Sequence, residues 1–403
     1  MCLILPTNAQ RHIIHNDRIA SLQVVAGENW FAMPVIDLNG DVPIRVAFDD
    51  MTHEYHRYTY SIRHCEADWS ESEEIFSSDY IEGFADENNI DDIEESQNTN
   101  VIYTHYELEV PNDRCKLKMS GNYKLTIVDN NNENEPILTV FFMVVEPLAG
   151  VSLQATTNTD LEINGRMQQI SIDLSYGSLN NVTDPASQIK TVVLQNGRWD
   201  NAIVNAKPQY VRNDGLRWEH NRDLIFFAGN EYRKFEMLDP RHTTMGLESV
   251  HWDGTNYHAY VWRDEPRPSY IYDEDANGSF YIRNSDNIEN NTISEYIYTH
   301  FTLQSEPLKG DVYINGAWTN DQFDEKYKME YDYNENVYKA TVLLKQGYYS
   351  YQYLLLRPDG TTTYVPSEGS FFQTENKYQV LVYFKGAGER TDRLVAYNEL
   401  QIN

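Results

Sequence analysis

Short runs of β-branched and aromatic residues, each bounded by turn formers, follow one another along almost the whole chain. No other feature of the sequence narrows the fold as far. "YHRYTYSIRH" (55–64), "YKLTIV" (123–128), "ILTVFFMVV" (137–145) and "QISIDLSY" (169–176) are alternating or continuously apolar over strand-like lengths. A period of two sends successive side chains to opposite faces of a strand, so such runs suit half-buried sheets. The 30 tyrosines and an aromatic content of 13% fit the same pleated surfaces. Turn clusters such as "DLNGD", "VDNNNENEP", "VRNDG" and "DEDANG" separate the runs. The most helix-like stretch, 70–95, is acidic, weakly apolar and broken by Gly83, so it reads as a long loop with at most one helical turn. The expected fold class is all-β.

A chain of 403 residues exceeds what one compact core holds. The pattern divides into an N-terminal arm (1–17) and three tandem β-sandwich-like domains: 18–147, 148–300 with long loops, and 301–403 with the C-terminal tail. The first holds about seven candidate strands, the number an immunoglobulin-like sandwich needs. "SGNYKLTIV" (120–128) places Tyr123 where a tyrosine-corner residue would sit. In the last, strands alternate with turns at Asn315-Gly316, Asn334-Glu335-Asn336 and Gly347. That block resembles the early-set, immunoglobulin-like modules that include starch- and glycogen-binding domains, a likeness that speaks to fold more than to function.

The formal charge of −30 opposes binding to a nucleic acid backbone or to an anionic membrane surface. No run reaches the ~18–20 apolar residues of a membrane span, so no direct membrane insertion is expected. The start "MCLILPTNAQ" reads as the tail of a secretory signal, with the start placed too late and the mature chain beginning near Gln10; export is the expectation. Cys2 would leave with that signal. Cys65 and Cys115 remain, and an exported pair could form one disulfide, although two thiols are not a framework.

The stretch "HCEADW" (64–69) gathers reactive residue types. A nucleophilic Cys needs an electropositive setting and a base within reach. Here Cys65 is followed by Glu66, Asp68, Glu71, Glu73 and Glu74, and strand geometry sends His64 and Cys65 to opposite faces. Zinc would need a second pair of closely spaced ligands, which is missing. The stretch therefore reads as a strand end with Cys65 inward and Asp68 and Trp69 forming a cap. "DEDANG" (273–278) opens like an EF-hand loop, but its twelfth position is Asn284 rather than Glu, so a hairpin turn is expected. In "FFAGNEYRKFE" (226–236), Glu231 and Arg233 share one strand face, which suggests an ion pair used in packing or in a partner contact. No catalytic residue, metal site or cofactor site is expected. Exposed aromatics are the remaining route to binding, with Trp318 foremost, while Tyr349, Tyr351 and Tyr353 share a face better suited to a core.

Three signatures in order resemble a Bacteroidetes family formerly known as a domain of unknown function and associated with the plug protein of the type IX secretion system. They are "YSIRHCEADW" with "SSDYIEGF", then "FFAGNEYRKFE", then the C-terminal block with "LKQGYYSYQY". The resemblance covers nearly the whole chain after residue ~18 and implies a non-enzymatic, all-β periplasmic protein, peripherally associated with the outer membrane and monomeric on its own. It implies that the protein docks on the outer-membrane β-barrel translocon and closes its periplasmic mouth when no cargo leaves. His64, Cys65, Asp68 and Trp69, with Gly229, Asn230, Glu231, Tyr232 and Arg233, match the family motifs and carry structural roles. The alternative is an exported glycan-binding protein that uses Trp318.

Overall fold

The computed structural model of the chain describes residues 11–132 and 134–402. The apolar start, Cys2 and the expected processing point near Gln10 lie outside the described residues. Strands dominate as the alternation requires. The α-helices among the described residues are single turns at Ser77–Tyr80, Pro185–Gln188 and Asn290–Ile293. The acidic stretch 70–95 holds the first of these and adds short strands Ile81–Gly83, Asn88–Asn89 and Asp92–Glu95.

The first unit is two facing sheets. One contains Tyr58–Cys65, Gly121–Asp129 and Glu135–Val145; the other contains Ile19–Ala26, Ile44–Asp50, Thr104–Val110 and Asp92–Glu95. Ile62 lies opposite Leu125, and both point with Phe48, Tyr106 and Phe142 into a fully buried core. The Tyr123 hydroxyl donates to the Met119 carbonyl at 2.6 Å, the backward bond expected at a tyrosine corner.

Beyond residue 147 the sheets divide the chain differently from the linear blocks 148–300 and 301–403. Ile189–Gln195 pairs with Lys377–Phe384, which pairs with Arg393–Gln401, so the C-terminal strands complete the second unit. Arg233–Met237, Leu247–Trp252, Tyr257–Val261 and Phe280–Ile282 join the third unit, a ten-stranded sheet wrapped around one core. The third unit is thus an insertion in the second. The physical reason is non-local: Ile189 meets Phe384 in register, and no turn signal announces a partner that distant.

Two further expectations are corrected. Trp318 is not a surface platform. It is 7% exposed, lies 5.6 Å from Tyr349 and 5.7 Å from Tyr327, and donates from Nε1 to the Ser350 carbonyl. The 3-10 turn Ala317–Thr319 carries it into the core beside the buried Tyr349, Tyr351 and Tyr353. "DEDANG" turns at Asn277-Gly278 ahead of Phe280–Ile282, but it belongs to a long connection from Val261 and not to a hairpin.

Cys65 and Cys115 are both free and do not form the considered disulfide. Cys115 packs in the first core with Tyr60 and Ile62, whereas Cys65 shares the opposite sheet face with its cross-strand neighbour Asn122. The sheet itself separates them. Burial pushes the Cys65 thiol up to about 12 and the Cys115 thiol to about 11. Iodoacetamide at neutral pH should therefore leave both unmodified in the folded protein and label both after denaturation, as read by peptide mass mapping.

Candidate functional site

The three units meet at three polar seams, and the two motif segments form two of them. At the first seam the strand Tyr58–Cys65 stops because Glu66–Trp69 turns tightly, with the Trp69 amide donating to the Glu66 carbonyl at 2.9 Å and Trp69 at φ 68°. The parity of the strand differs from expectation. His64 faces the first core, 5.2 Å from the Tyr123 ring, and Cys65 lies on the opposite face of the sheet, where Glu71 bridges to it. His64 Nε2 donates to the Ser120 carbonyl at 3.1 Å, and Nδ1 lies 2.9 Å from the Ser72 hydroxyl and 3.3 Å from that of Thr391. Burial holds its pKa below the usual value. Gly121 is required beside it: at φ +145° an added Cβ would lie 2.3 Å from Nε2.

Glu66 carries this seam. It accepts from Ser72 Oγ (2.7 Å) and, in the C-terminal hairpin of the second unit, from Thr391 Oγ1 (2.7 Å) and the Asp392 amide (3.0 Å). Burial alone would raise its pKa, but those hydrogen bonds prevail and hold it below the usual range. Asp392 answers by accepting from the Ala67 amide (3.0 Å) and from Lys190 (2.7 Å). Asp68 stays local and accepts from Ser70. Trp69 covers the seam, edge-on to Phe141 of the first unit and Trp199 of the second, each at 5.6 Å. Beneath it lies an apolar layer of Met143, Val145, Val192, Leu194 and Tyr383.

At the second seam the chain leaves the second unit through 228–232 and returns through 366–376. The two crossings bond to each other. Gly229 donates to Ser370 Oγ (3.0 Å), and its carbonyl accepts from the Phe371 amide (2.8 Å). Asn230 donates to the Glu368 carbonyl, and Glu231 Oε1 accepts from Tyr270 (2.6 Å) and the Glu375 amide (3.1 Å). The Tyr232 ring enters the third unit, where its hydroxyl accepts from Gln352 at 2.9 Å. Arg233 does not pair with Glu231. Its guanidinium spans Glu368 (2.8 Å) and Asp264 (2.8 Å), and Arg267 closes the same network on Glu368. Burial works against the charge on Arg233, but the two carboxylates outweigh it and keep it ionised.

The third seam joins the first unit to the third, and the sequence reading missed it. Lys345 Nζ donates to Asp49 Oδ2 at 2.6 Å, with both side chains 1% exposed. His105 Nδ1 lies 2.6 Å from Asp49 Oδ1, and the Tyr296 hydroxyl donates to Asp49 Oδ2 at 2.7 Å. The Lys345 ammonium also sits 4.1 Å above the Tyr103 ring. The available signal was a lysine at an inward position of the strand Val337–Lys345, and an aspartate pair ending Ile44–Asp50. Between the seams the three units enclose a cleft of about 770 Å³.

Residues 19–146 match the model of the type 9 secretion system plug protein 1st domain. The fold is similar to the crystal structure of a hypothetical protein from Parabacteroides merdae ATCC 43184, with TM-score 0.93 and 35% identity over 98% of this chain and 99% of that one. No curated protein matches the chain. The chain belongs to the type IX secretion plug family. Of the residues that match the family motifs, His64, Cys65, Asp68 and Trp69 lie at or beside the first seam and Gly229 to Arg233 at the second.

Two outcomes follow for the third seam. Lys345→Met strands a buried Asp49 and should cost about 3–5 kcal/mol in equilibrium urea unfolding. Burial disfavours the charged forms of Asp49 and His105, yet their contacts prevail, so His105 sits above its usual value and Asp49 below its own. The His105 contribution is complete below its unfolded pKa of ~6.5 and is lost as pH rises through the higher folded value. The Asp49 contribution is complete above ~3.9 and is lost as pH falls through the lower folded value. The cluster should stabilise most between about pH 4 and 6.5. His105→Gln should flatten the decline in unfolding free energy measured upward from there.

Proposed function

We propose that this protein docks from the periplasm on the outer-membrane β-barrel translocon of the type IX system and seals its mouth when no cargo is leaving. Membership of the plug family supports a role in type IX secretion. The observation that carries the finer reading is the fastening of three β units to one another by buried polar seams, two of them built from the family-motif residues. A body that closes a pore must span the opening without folding into it. Sheets fixed to one another by paired buried groups resist that collapse, because separating the partners strands a charge. In this reading the protein is not an enzyme; it acts as a monomer, peripherally at the outer membrane, and a docking surface of about 1,200–2,000 Å² suffices. A negative charge of −30 favours neutral or basic patches on the partner. The glycan-binding alternative gave Trp318 a stacking role that its burial leaves no room for.

Affinity capture of the tagged full chain from outer-membrane extract in mild detergent should recover the giant β-barrel of the system, identified by mass spectrometry. Capture that lacks the barrel while the chain remains folded would overturn the proposal.

A further inference from the structure

The wall of the cleft keeps buried polar atoms of both kinds without partners among the described residues. Gln23 is 3% exposed, and its Oε1 is buried without a donor. Arg11 Nε, Arg283 Nε and Trp69 Nε1 are buried donors without an acceptor. Such orphans are rare in native chains, and each marks the place of a missing partner. Charge gives the cleft no direction. Its wall carries six carboxylates and five lysine or arginine side chains, a near balance that sets up no strong field for an ion of either sign.

One corner brings an orphaned amide and aromatic rings together. In the strand Ile19–Ala26, Leu22, Val24 and Ala26 turn to the first core, so the alternation aims Gln23 and Val25 at the cleft. Val25 pairs with Arg45, whose guanidinium lies 5.8 Å from the centre of the Trp30 ring. Trp30 meets Tyr281 of the third unit edge-on at 5.2 Å, and Tyr281 sits opposite Tyr348 in the pairing of Phe280–Ile282 with Gly347–Leu356. Arg283 follows two residues after Tyr281. An amide with both ends open matches a group that donates at one atom and accepts at the next. Two adjacent hydroxyls of a sugar ring do this, one donating to Oε1 and the other accepting from Nε2. The C–H face of the same ring suits an aromatic corner. A simple ion satisfies only one kind of atom. A peptide backbone donates and accepts as well, but it is captured along a free strand edge, whereas these groups are side chains from two different units.

We propose that this corner binds a ring of a neutral carbohydrate, with two adjacent hydroxyls on the Gln23 amide, a further oxygen on Arg283 Nε, and the C–H face against Trp30 and Tyr281. The inference does not rest on the plug reading and does not involve Trp318. A cleft of about 770 Å³ falls in the ordinary range for ligand sites at unit boundaries.

The test is a titration of the full chain with three neutral trisaccharides, maltotriose, mannotriose and triacetylchitotriose, read by tryptophan fluorescence and by saturation-transfer NMR on the sugar protons. At least one should bind saturably, with a Kd of about 1 mM or tighter. Raising sodium chloride from about 50 to 500 mM should leave that Kd within about twofold, because no ion pair forms. Gln23→Leu should weaken binding at least about tenfold without lowering the thermal unfolding midpoint, since it removes a polar group that the described chain does not satisfy. A purely structural Gln23 would lower the midpoint and leave binding unchanged. Trp30→Leu should weaken binding to a similar degree and serves if Gln23→Leu fails to fold. No saturable binding by any of the three, binding that falls steeply with salt, tighter binding of the neutral peptide acetyl-Gly-Gly-Gly-amide than of every sugar, or folded variants that bind like the unmodified chain would overturn the proposal.

Discussion

Lys345 reaches out of the third unit and ends on Asp49 of the first, with both side chains all but removed from water. The arrangement of the molecule depends on this contact and on its two counterparts at Glu66 and Arg233. A buried ion pair gains little over a well-packed apolar isostere, because desolvation offsets the attraction. It adds a penalty for any geometry that separates the partners. Apolar seams alone, such as the layer under Trp69, would tolerate sliding, whereas a hydrogen-bonded carboxylate does not. Three such contacts, one for each pair of units, leave no pair joined by apolar contact alone.

The motif residues gain their meaning from this arrangement. Glu66 follows a strand end, and the groups that complete it, Thr391 and Asp392, come from the far end of the chain. Arg233 opens a strand, and its main partner Glu368 lies on the returning crossing. Reactive residue types gather at such places because seams between sheets are where charged groups can be buried in pairs. A nucleophile or a metal would need an open coordination or attack position, and around the carboxylates of Glu66 and Glu368 the positions facing the seam are filled by donors from the chain itself. The cleft differs in this respect, since its wall keeps buried polar atoms, the Gln23 Oε1 acceptor and the Arg11 Nε, Arg283 Nε and Trp69 Nε1 donors, that the described chain does not satisfy.

Much was legible from local pattern. The strand character of "YKLTIV" and "ILTVFFMVV" follows from alternation and β-branching, and these segments pair in register as Gly121–Asp129 and Glu135–Val145. The inward face of Tyr349, Tyr351 and Tyr353 follows from period two. Trp69 follows the strand end as the pattern suggested, but its indole packs across the seam on Phe141 and Trp199, a partner from the second unit that local pattern does not name. The place of Trp318 was not legible, because a single 3-10 turn decides whether an indole in a loop points to solvent or to the core. The parity of His64 and Cys65 was legible in the alternation and was misassigned: Tyr58, Tyr60 and Ile62 point into the first core while Ser61 and Arg63 on the other face stay half-exposed, and a period of two carries His64 inward with the first set.

By itself the sequence determined that the chain is all-β, where most of its strands run, that it carries a large negative charge, and which motif segments mark its family. These depend on side-chain periodicity and composition, which are local. Only the tertiary structure decided that the C-terminal strands return to the second unit, that Asp49 meets Lys345, and that three units enclose one cleft. Strand pairing and charge pairing between distant segments are chosen by the total burial they permit, and every edge strand and every carboxylate in this acidic chain offers many partners on local grounds alone.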